Sequence, residues 1–415
     1  MNVFEINTSD LGGGAANVAY RLKQALTRRG HAVSLFVKDR RSYDPDVHSI
    51  RTPGLLTTLL KNITGKDFGA TLHNRIRPLL ANDIEWFNTW ALRKAVKNQK
   101  PSIIHCHNLH GNYFNITELA SLAKKAPVIW TLHDMWALTP HCAHTTRSTT
   151  TDGFFDCESR TAYQNIAWPN EKHLRKIKRG AYRESTFHIV TPCQWLKEKV
   201  SQSVLRDHNI SVIYNGVDEK MYIPQDKKMA REALGLPQDA FIILYVATIG
   251  QSNEKGWNIV EDLKKHYRDN TNIFFLSIGG RASTQSEQER TVPHLTNPKV
   301  VAQYYSATDI FLSPSPKETF PLTILEAFAC GTPVIARDTG GVKEAFEHGT
   351  HGWLIPHEAR FEVYAKAIET ARAMTETDRS AMSKRCRQII LDQFTETRMV
   401  NDYEKLYNEL TDVHR

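Results

Sequence analysis

The hydrophobic positions of this chain fall into short apolar runs separated by longer segments with helical spacing. Asn2–Thr8 and Ala32–Asp39 are runs of strand length. Between them, Val18, Leu22 and Leu26 recur at intervals that place all three on one face of a helix. A strand, a helix and a second strand in this order form the βαβ unit of a parallel sheet. The opening of the chain therefore predicts an α/β fold.

The same alternation continues through the first half and begins again after a polar stretch that contains Pro224. Further strands are predicted at Ser102–His107, Pro127–Leu132, Phe187–Thr191, Ser211–Tyr214, Ala240–Thr248, Phe274–Gly280, Asp309–Ser315 and Pro333–Asp338. Two such series indicate two doubly wound, Rossmann-like domains, because roughly 200 residues suffice for one buried core. We place the domains at 1–218 and 219–395, and we predict that 396–415 is a helix that packs back toward the N-terminal domain.

The charge balance limits the classes of partner that we expect this chain to bind. Lysine and arginine number 53 against 45 acidic residues, so the formal net charge is +8. An excess of this size favours a phosphorylated small molecule, an acidic lipid headgroup or a nucleic acid. Because no nucleic-acid-binding motif accompanies it, we expect no nucleic-acid partner. The basic run Lys172–Arg183 and the amphipathic segment Gly54–Ile63 indicate peripheral contact with an anionic membrane, with a solvated helix face as the alternative.

The sequence also indicates a location. The longest apolar stretch, Ala240–Gly250, is shorter than the roughly 20 residues that cross a bilayer. The N-terminal segment lacks the basic region of a signal peptide. The six cysteines are widely scattered, which predicts no disulfide framework and favours a reducing compartment. We therefore expect a cytoplasmic protein, with peripheral contact at the inner face of the cell membrane.

Two loops have the composition of phosphate-binding sites. Gly13 and Gly14 follow the first strand and open a helix, where free backbone N–H groups attract an anion. Asn17 replaces the third glycine of the dinucleotide fingerprint, so a nicotinamide site is disfavoured and a tight turn without a ligand is the alternative. Lys255, beside Gly256, follows the first strand of the second half, where a lysine can neutralise a diphosphate.

The segment Asp309–Val334 carries the strongest chemical signal. A strand ends in a polar turn, and Pro321 then opens an apolar helix that Gly331 ends. The helix N-terminus offers amide groups to a phosphate. Glu318 in the turn and Glu326 in the helix can each accept hydrogen bonds from sugar hydroxyls.

This segment resembles the signature of glycosyltransferase family 4, whose two glutamates are separated by seven residues as Glu318 and Glu326 are. Five other segments match the family in order: Asp10–Ala16, Thr131–Asp134, Tyr214–Asp218, Glu254–Gly256 and Gly349–Pro356. The resemblance implies the GT-B fold, with two Rossmann-like domains facing across a cleft, the first binding the acceptor and the second the nucleotide-sugar donor. It also implies a retaining transfer that needs no metal and no cofactor.

The resemblance assigns the donor site residue by residue. Glu318 would contact the sugar hydroxyls, Lys255 the diphosphate and Glu326 the ribose. The backbone of four residues would surround the sugar and the phosphate: Phe320, Pro321, Leu322 and Thr323. The segment Thr248–Gln251 departs from the family, because many members carry an arginine there. Another cation, Arg281 or Lys317, would have to assist Lys255, or the diphosphate would be bound more weakly.

The remaining implied residues belong to the first half. Gly13 and Gly14 would lie near the diphosphate and the acceptor, and His133 would lie beside the donor sugar. The catalytic set is therefore Glu318, His133 and Lys255. The region Ile103–Cys142 resembles members that build bacterial surface polysaccharide, which implies a UDP or GDP sugar as donor and a glycan or lipid-linked acceptor.

Two other activities share the fold. One is a nucleotide-sugar 2-epimerase, and the other is a nucleotide-sugar-binding protein without catalysis. Intact Glu318, Lys255 and His133 argue against the second.

Three groups of residues have the composition of metal-binding sites, but each also has a simpler interpretation. His105, Cys106, His107 and His110 fit polar lining of a strand end better than a metal site. His141, Cys142, His144 and Cys157 match no standard zinc spacing and fit an ordinary loop. Asp44 and Asp46 imitate a manganese-binding pair, although a solvated turn fits their context better.

Overall fold

The computed structural model describes residues 1–50, 90–164, 166, 169–246, 255–280 and 283–414. The chain forms two compact units, Met1–Ile213 together with Val400–Arg415, and Tyr214–Met399. Each unit contains a seven-stranded sheet whose successive parallel strands are connected largely by helices. The predicted segment Gly54–Ile63 lies outside the described residues.

The first unit is a parallel sheet with the strand order β3-β2-β1-β4-β5-β6-β7. Its strands are β1 (Asn2–Ser9), β2 (Ala32–Asp39), β3 (Val47–Ser49), β4 (Ile103–Cys106), β5 (Val128–Thr131), β6 (His188–Thr191) and β7 (Ile210–Val212). Its helices are α1 (Gly14–Arg28), α2 (Trp90–Gln99), α3 (Glu118–Ala123), α4 (Glu171–Arg183), α5 (Gln194–Ser201) and the larger part of α13 (Glu396–His414). Order reverses at β1, where β2 and β4 pair on either side, as in a doubly wound sheet.

The helix predicted from Val18, Leu22 and Leu26 is α1. All three side chains are buried, and Gln24 between them is exposed, whereas Lys23 is buried as well. The helix begins at Gly14 after Gly13, whose φ of +110° suits glycine. Apolar spacing therefore fixed which face of α1 packs on the sheet.

The second unit repeats the architecture with the order β10-β11-β9-β8-β12-β13-β14. Its strands are β8 (Phe241–Val246), β9 (Ile273–Gly280), β10 (Thr284–Gln285), β11 (Glu289–Pro293), β12 (Ile310–Ser313), β13 (Val334–Arg337) and β14 (Gly352–Ile355). Its helices are α6 (Lys227–Leu234), α7 (Trp257–His266), α8 (Pro298–Ala307), α9 (Leu322–Ala329), α10 (Val342–Ala345), α11 (Phe361–Arg372) and α12 (Glu376–Gln393). Every strand pair is parallel except β10 with β11. The predicted fold class, two Rossmann-like domains, is confirmed.

The C-terminal helix α13 supplies two tyrosines to the core of the first unit. Tyr407 Oη lies 2.7 Å from His105 Nδ1 on β4, and Tyr403 Oη lies 3.0 Å from Thr131 Oγ1 on β5. His105 Nε2 in turn lies 2.7 Å from Thr131 Oγ1. All four side chains are buried, so these contacts attach α13 to two adjacent strands through satisfied polar groups.

No helix among the described residues is long and apolar enough to span a membrane.

A close backbone approach shapes the edge of the second sheet. Gly352 begins β14 with a φ of +147°, and a Cβ at this position would overlap the backbone of Val334 on β13. We expect Gly352→Ala to lower the free energy of unfolding of the second unit by about 2–3 kcal/mol. Urea titration with hydrogen exchange of β13 and β14 measures this loss.

Gly180 provides the matched control, because it lies inside α4 with nothing within 4 Å of an added Cβ. Gly180→Ala should stabilise the chain by about 0.5–1 kcal/mol, since alanine has the higher helix propensity. Equal effects of the two substitutions would contradict the role given to Gly352.

The buried imidazole of His105 predicts a pH dependence. Burial lowers the pKa of His105 to about 3, whereas a histidine in the unfolded chain titrates near about 6.5. Between these values the unfolded chain binds a proton that the folded chain does not, so stability falls as the pH falls. His105→Gln should reduce proton uptake on unfolding by about one proton across this window, as measured by urea titrations at several pH values. An unchanged pH slope would contradict the assignment.

Candidate functional site

In the second unit, the structure brings together two residues that are far apart in sequence. Lys255 Nζ lies 2.6 Å from Glu318 Oε1, and the lysine side chain remains 48% exposed. Lys255 immediately precedes α7, and Glu318 lies in the loop between β12 and α9. Because both segments follow neighbouring strands β8 and β12, their side chains meet at the carboxyl edge of the sheet.

Two glycines hold the Glu318 loop against its neighbours. Gly256 has a φ of +73°, and a Cβ there would overlap the carbonyl of Pro314. Gly340 has a φ of +56°, and a Cβ there would overlap the carbonyl of Glu318 itself. The loop therefore lies between two backbone segments at distances that only glycine permits. The next residue, Gly341, donates its N–H to Thr319 O at 2.8 Å.

The N-terminus of α9 adjoins this loop. Pro321 is the capping residue, and its side chain forms no capping hydrogen bond with the amide groups of the first turn. Phe320 is buried against Tyr214 and Phe394, with ring centroids 5.4 and 5.6 Å apart respectively. This aromatic packing fixes the start of the helix, so the amides of Leu322 and Thr323 have a defined direction.

Glu326 lies one turn further along α9 and is buried. Tyr245 on β8 donates its hydroxyl to Lys255 O at 3.2 Å, which holds the lysine backbone. Burial, together with the nearby Glu318 carboxylate, raises the pKa of Tyr245, so the phenol remains a neutral donor. The second unit thus presents one cation, two carboxylates and a helix N-terminus.

In the first unit, a group of histidines follows β4 and β5. His107 Nδ1 lies 3.0 Å from His133 Nε2, and the two rings are stacked. His107 is fully buried, whereas His133 is partly exposed. Burial lowers the pKa of His133 to about 4 and that of His107 well below its usual value, so both rings are neutral near pH 7.

Hydrogen bonds to Asp134 hold the loop after His133. His110 Nε2 lies 2.8 Å from Asp134 Oδ2, and Trp136 donates its backbone N–H to Asp134 Oδ1 at 2.8 Å. Burial acts to raise the pKa of Asp134, but His110 and the other partners lower it overall. The carboxylate therefore stays ionised and anchors the loop that carries His133.

The loop after β5 contains a disulfide that the scattered cysteines of the sequence did not predict. Cys142 and Cys157 form this bond. The four residues His141, Cys142, His144 and Cys157 do not form a metal-ligand cluster within the described part of the chain. The bond instead closes the polar loop after β5.

The basic run of α4 is only partly a solvated face. Lys178 is buried, donates to Trp136 O and Thr139 O at 2.6 and 2.9 Å, and lies 3.4 Å from the Trp136 ring centre. Arg175 forms ion pairs with Asp152 and Asp156. These basic residues attach α4 to the preceding loop. Three others remain exposed: Lys172, Lys176 and Arg183.

The glycine loop and the acidic pair of the first unit have different surroundings. Nothing among the described residues lies within 4 Å of a Cβ added at Gly13 or Gly14, so the start of α1 is open. Asp44 accepts hydrogen bonds from the buried Lys23 at 2.7 and 2.8 Å, and Asp46 lies 3.5 Å from the same nitrogen. The Asp44–Asp46 pair is therefore neutralised by an internal lysine rather than forming a simple solvated turn.

Sequence reasoning missed Glu5. This glutamate lies on β1 opposite His105 of β4, is fully buried, and neither carboxyl oxygen has a hydrogen-bond partner among the described residues. An acid in the middle of an apolar strand, between Phe4 and Ile6, was the available signal. The family's variable segment Thr248–Gln251 and Arg281 lie outside the described residues.

Two relatives cover this chain to different extents. It is 25% identical over 222 residues to N-acetyl-alpha-D-glucosaminyl L-malate synthase of Bacillus anthracis, a match that covers 52% of this chain and 58% of that relative. It is 25% identical over 371 residues to D-inositol 3-phosphate glycosyltransferase of Mycobacterium leprae, a match that covers 82% of this chain and 76% of that relative. The chain thus spans little more than half the length of the first relative.

A solved structure and two family models complete the comparison. Anabaena Alr3699/HepE in complex with UDP matches with a TM-score of 0.67 and 16% identity, over 99% of this chain and 100% of that one, which shows a shared fold. A family model described as Glycosyl transferases group 1 matches residues 240–373. A model described as Glycosyltransferase Family 4 matches residues 12–220, half of the chain. The chain therefore belongs to glycosyltransferase family 4.

Proposed function

We propose that this protein transfers a sugar from a nucleotide diphosphate to an acceptor hydroxyl, with retention of the anomeric configuration. One observation carries the proposal: Lys255 and Glu318 meet at 2.6 Å beside the uncapped N-terminus of α9. A lysine and free amides suit a diphosphate, and a carboxylate suits sugar hydroxyls. This combination matches a nucleotide sugar.

The reaction needs positive charge where the diphosphate departs. As the bond from the anomeric carbon to the phosphate oxygen breaks, negative charge grows on the phosphate and positive charge on the sugar. Lys255 and the amides of Leu322 and Thr323 stabilise the leaving group, and Glu318 orients the sugar through its hydroxyls. Glu326 would bind the ribose.

Retention follows if the acceptor attacks from the face that the diphosphate leaves. The acceptor oxygen bonds to the anomeric carbon, and its proton passes to the departing phosphate oxygen. The transfer then requires neither a separate protein base nor a divalent cation, since Lys255 and the helix N-terminus supply the positive charge. His133 would contact the substrate, and Gly13 and Gly14 would approach the diphosphate or the acceptor.

We propose a nucleotide-sugar donor of the UDP or GDP type, and the comparisons support the coarser statement that the donor is a nucleotide sugar. The Anabaena protein was solved with UDP, and the M. leprae relative is a glycosyltransferase acting on D-inositol 3-phosphate by name. For this chain we propose a glycan or lipid-linked acceptor in bacterial surface-polysaccharide synthesis. Binding of UDP, GDP and ADP, compared by thermal shift, identifies the base.

The first test of this function replaces Lys255 and Glu318 with alanine. Removal of one preorganised charge at the leaving group should lower kcat on the order of 10²–10³-fold. Steady-state kinetics with the true donor and acceptor measure the loss. Lys366→Ala is the matched control, because Lys366 is an exposed lysine on α11 of the same unit.

Four outcomes would contradict the proposal. Near-normal turnover of both alanine variants would reject the proposed site. Loss of activity in a chelator would contradict metal independence. Conversion of the donor to an epimer without any acceptor identifies a 2-epimerase. Binding of the donor with no turnover of any acceptor supports a non-catalytic binding protein.

The second test concerns peripheral membrane contact. The exposed Lys172, Lys176 and Arg183 form the outer face of α4. Because each basic residue near an anionic surface contributes about 1 kcal/mol, Lys172→Glu with Lys176→Glu should weaken binding to phosphatidylglycerol vesicles at low salt more than tenfold. Vesicle co-sedimentation measures this change.

Lys124→Glu with Lys125→Glu is the charge-matched control, because both lysines are exposed at the end of α3. Equal losses in the two double variants would indicate a nonspecific charge effect and contradict contact through α4. Absence of wild-type binding would also reject the contact.

A further inference from the structure

A closed polar cluster lies behind His133 in the first unit. Glu5, His105 and His107 are each 0% exposed, and one ligand atom from each lies within 4.8 Å of the other two. Glu5 and His105 are paired across β1 and β4, and His107 follows at the end of β4. Burial of three titratable groups is costly unless their protons and lone pairs are matched.

Most of the polar atoms in this cluster are already used. His105 contacts Tyr407 Oη and Thr131 Oγ1 through its two nitrogens, each at 2.7 Å. His107 contacts His133 through Nδ1 at 3.0 Å. Within the described chain, His107 Nε2 and both oxygens of Glu5 are left without a hydrogen-bond partner. The unmatched atoms are therefore those of one carboxyl group and one ring nitrogen.

The charge state of Glu5 decides how these atoms are matched. Burial raises the pKa of Glu5, and Lys23, the cation that opposes this effect, is bound to Asp44. The side chain is therefore a neutral acid that carries a hydrogen. His107 Nε2 is the unmatched ring nitrogen of the same cluster, and an acid O–H directed to an imidazole nitrogen would satisfy both groups. One buried water between them would give the same direction of donation.

A hydrogen bond donated by Glu5 determines which ring nitrogens of His107 and His133 carry a hydrogen. With its Nε2 accepting, neutral His107 carries its hydrogen on Nδ1 and donates to His133 Nε2. Neutral His133 must then carry its own hydrogen on Nδ1. We propose that Glu5 and His107 are positioning residues that hold His133 in this tautomer, so that His133 Nδ1–H donates to a substrate oxygen. The substrate contact rests on the proposed function, whereas the tautomer does not.

The opposite arrangement is equally specific. If Glu5 were ionised, it would accept from His107 Nε2–H, His107 Nδ1 would accept from His133 Nε2–H, and His133 Nδ1 would become an acceptor. A metal ion bound by Glu5, His105 and His107 is the third arrangement, because a carboxylate and two imidazoles suit a transition metal. The three arrangements predict different measurements.

The experiment measures the tautomer of His133 directly. In protein labelled with 15N-histidine, protonated and bare ring nitrogens have well-separated chemical shifts, and His133→Gln identifies the His133 signals. We expect a protonated Nδ1 and a bare Nε2 in the wild type at pH 7. The reverse assignment overturns the proposal, as does a stoichiometric metal ion in the purified protein by elemental analysis.

Two substitutions of Glu5 distinguish a role in positioning His133 from a role in stability alone. Glu5→Gln keeps an N–H donor and cannot ionise, so the His133 tautomer should persist and kcat should stay within about twofold. Glu5→Leu removes the donor, so both tautomers should appear and kcat should fall about tenfold, the loss expected for one hydrogen bond in the transition state. KM for the donor should change less than kcat.

Separate control measurements distinguish a loss of folding from a loss of function. Unfolding transitions of both variants establish that the first unit is intact, and a wild-type tautomer in Glu5→Leu would overturn the proposal even if activity falls. Loss of activity in Glu5→Gln with an unchanged tautomer would do so as well. If the wild type transfers no sugar, the proposed function fails while the NMR result still tests the tautomer.

Discussion

The approach of three backbone segments around Glu318 is the constraint on which the proposed donor site depends. Glycine at 256 and 340 allows the loop after β12 to lie between the start of α7 and the turn before α10. A side chain at either position would move the carboxylate away from Lys255. Because both glycines have positive φ, the backbone conformation and the close contact are selected together. The 2.6 Å Lys255–Glu318 pair is therefore a consequence of backbone packing.

In the first unit the main constraint is different: polar side chains are buried inside a sheet and need hydrogen-bond partners there. Tyr407 and Thr131 satisfy the two nitrogens of His105, and Tyr403 in turn contacts Thr131, so a histidine on β4 costs little. Glu5 is the exception. A buried carboxyl without a partner costs a few kcal/mol, and natural sequences retain such a group where it matches an equally unmatched neighbour or serves a function. Here the unmatched neighbour is His107.

The α/β fold was predictable from the sequence because the strands and the helices each leave a periodic pattern of apolar residues. Apolar strand runs and the spacing of Val18, Leu22 and Leu26 depend on local burial, and the structure confirms the α/β class. The family resemblance alone placed Lys255 and Glu318 in one site, their direct contact was not predicted, and the roles assigned to these residues stay predictions. The Cys142–Cys157 bond and the burial of Lys178 were missed, because irregular loops have no periodicity that reports which side chains meet.

The two units differ in the kind of polarity that they present, and the difference has a chemical reason. The second unit uses a full charge at Lys255, which suits a leaving group whose negative charge grows during the reaction. Near pH 7 the stacked pair His107 and His133 is neutral, since burial lowers the pKa of His133 to about 4 and that of His107 well below its usual value. A neutral N–H can bind a hydroxyl without attracting a pyrophosphate, whereas an imidazolium would bind either. Neutrality at His133 therefore suits the contact with a sugar oxygen that we propose, and burial of the His133 ring itself maintains that neutrality.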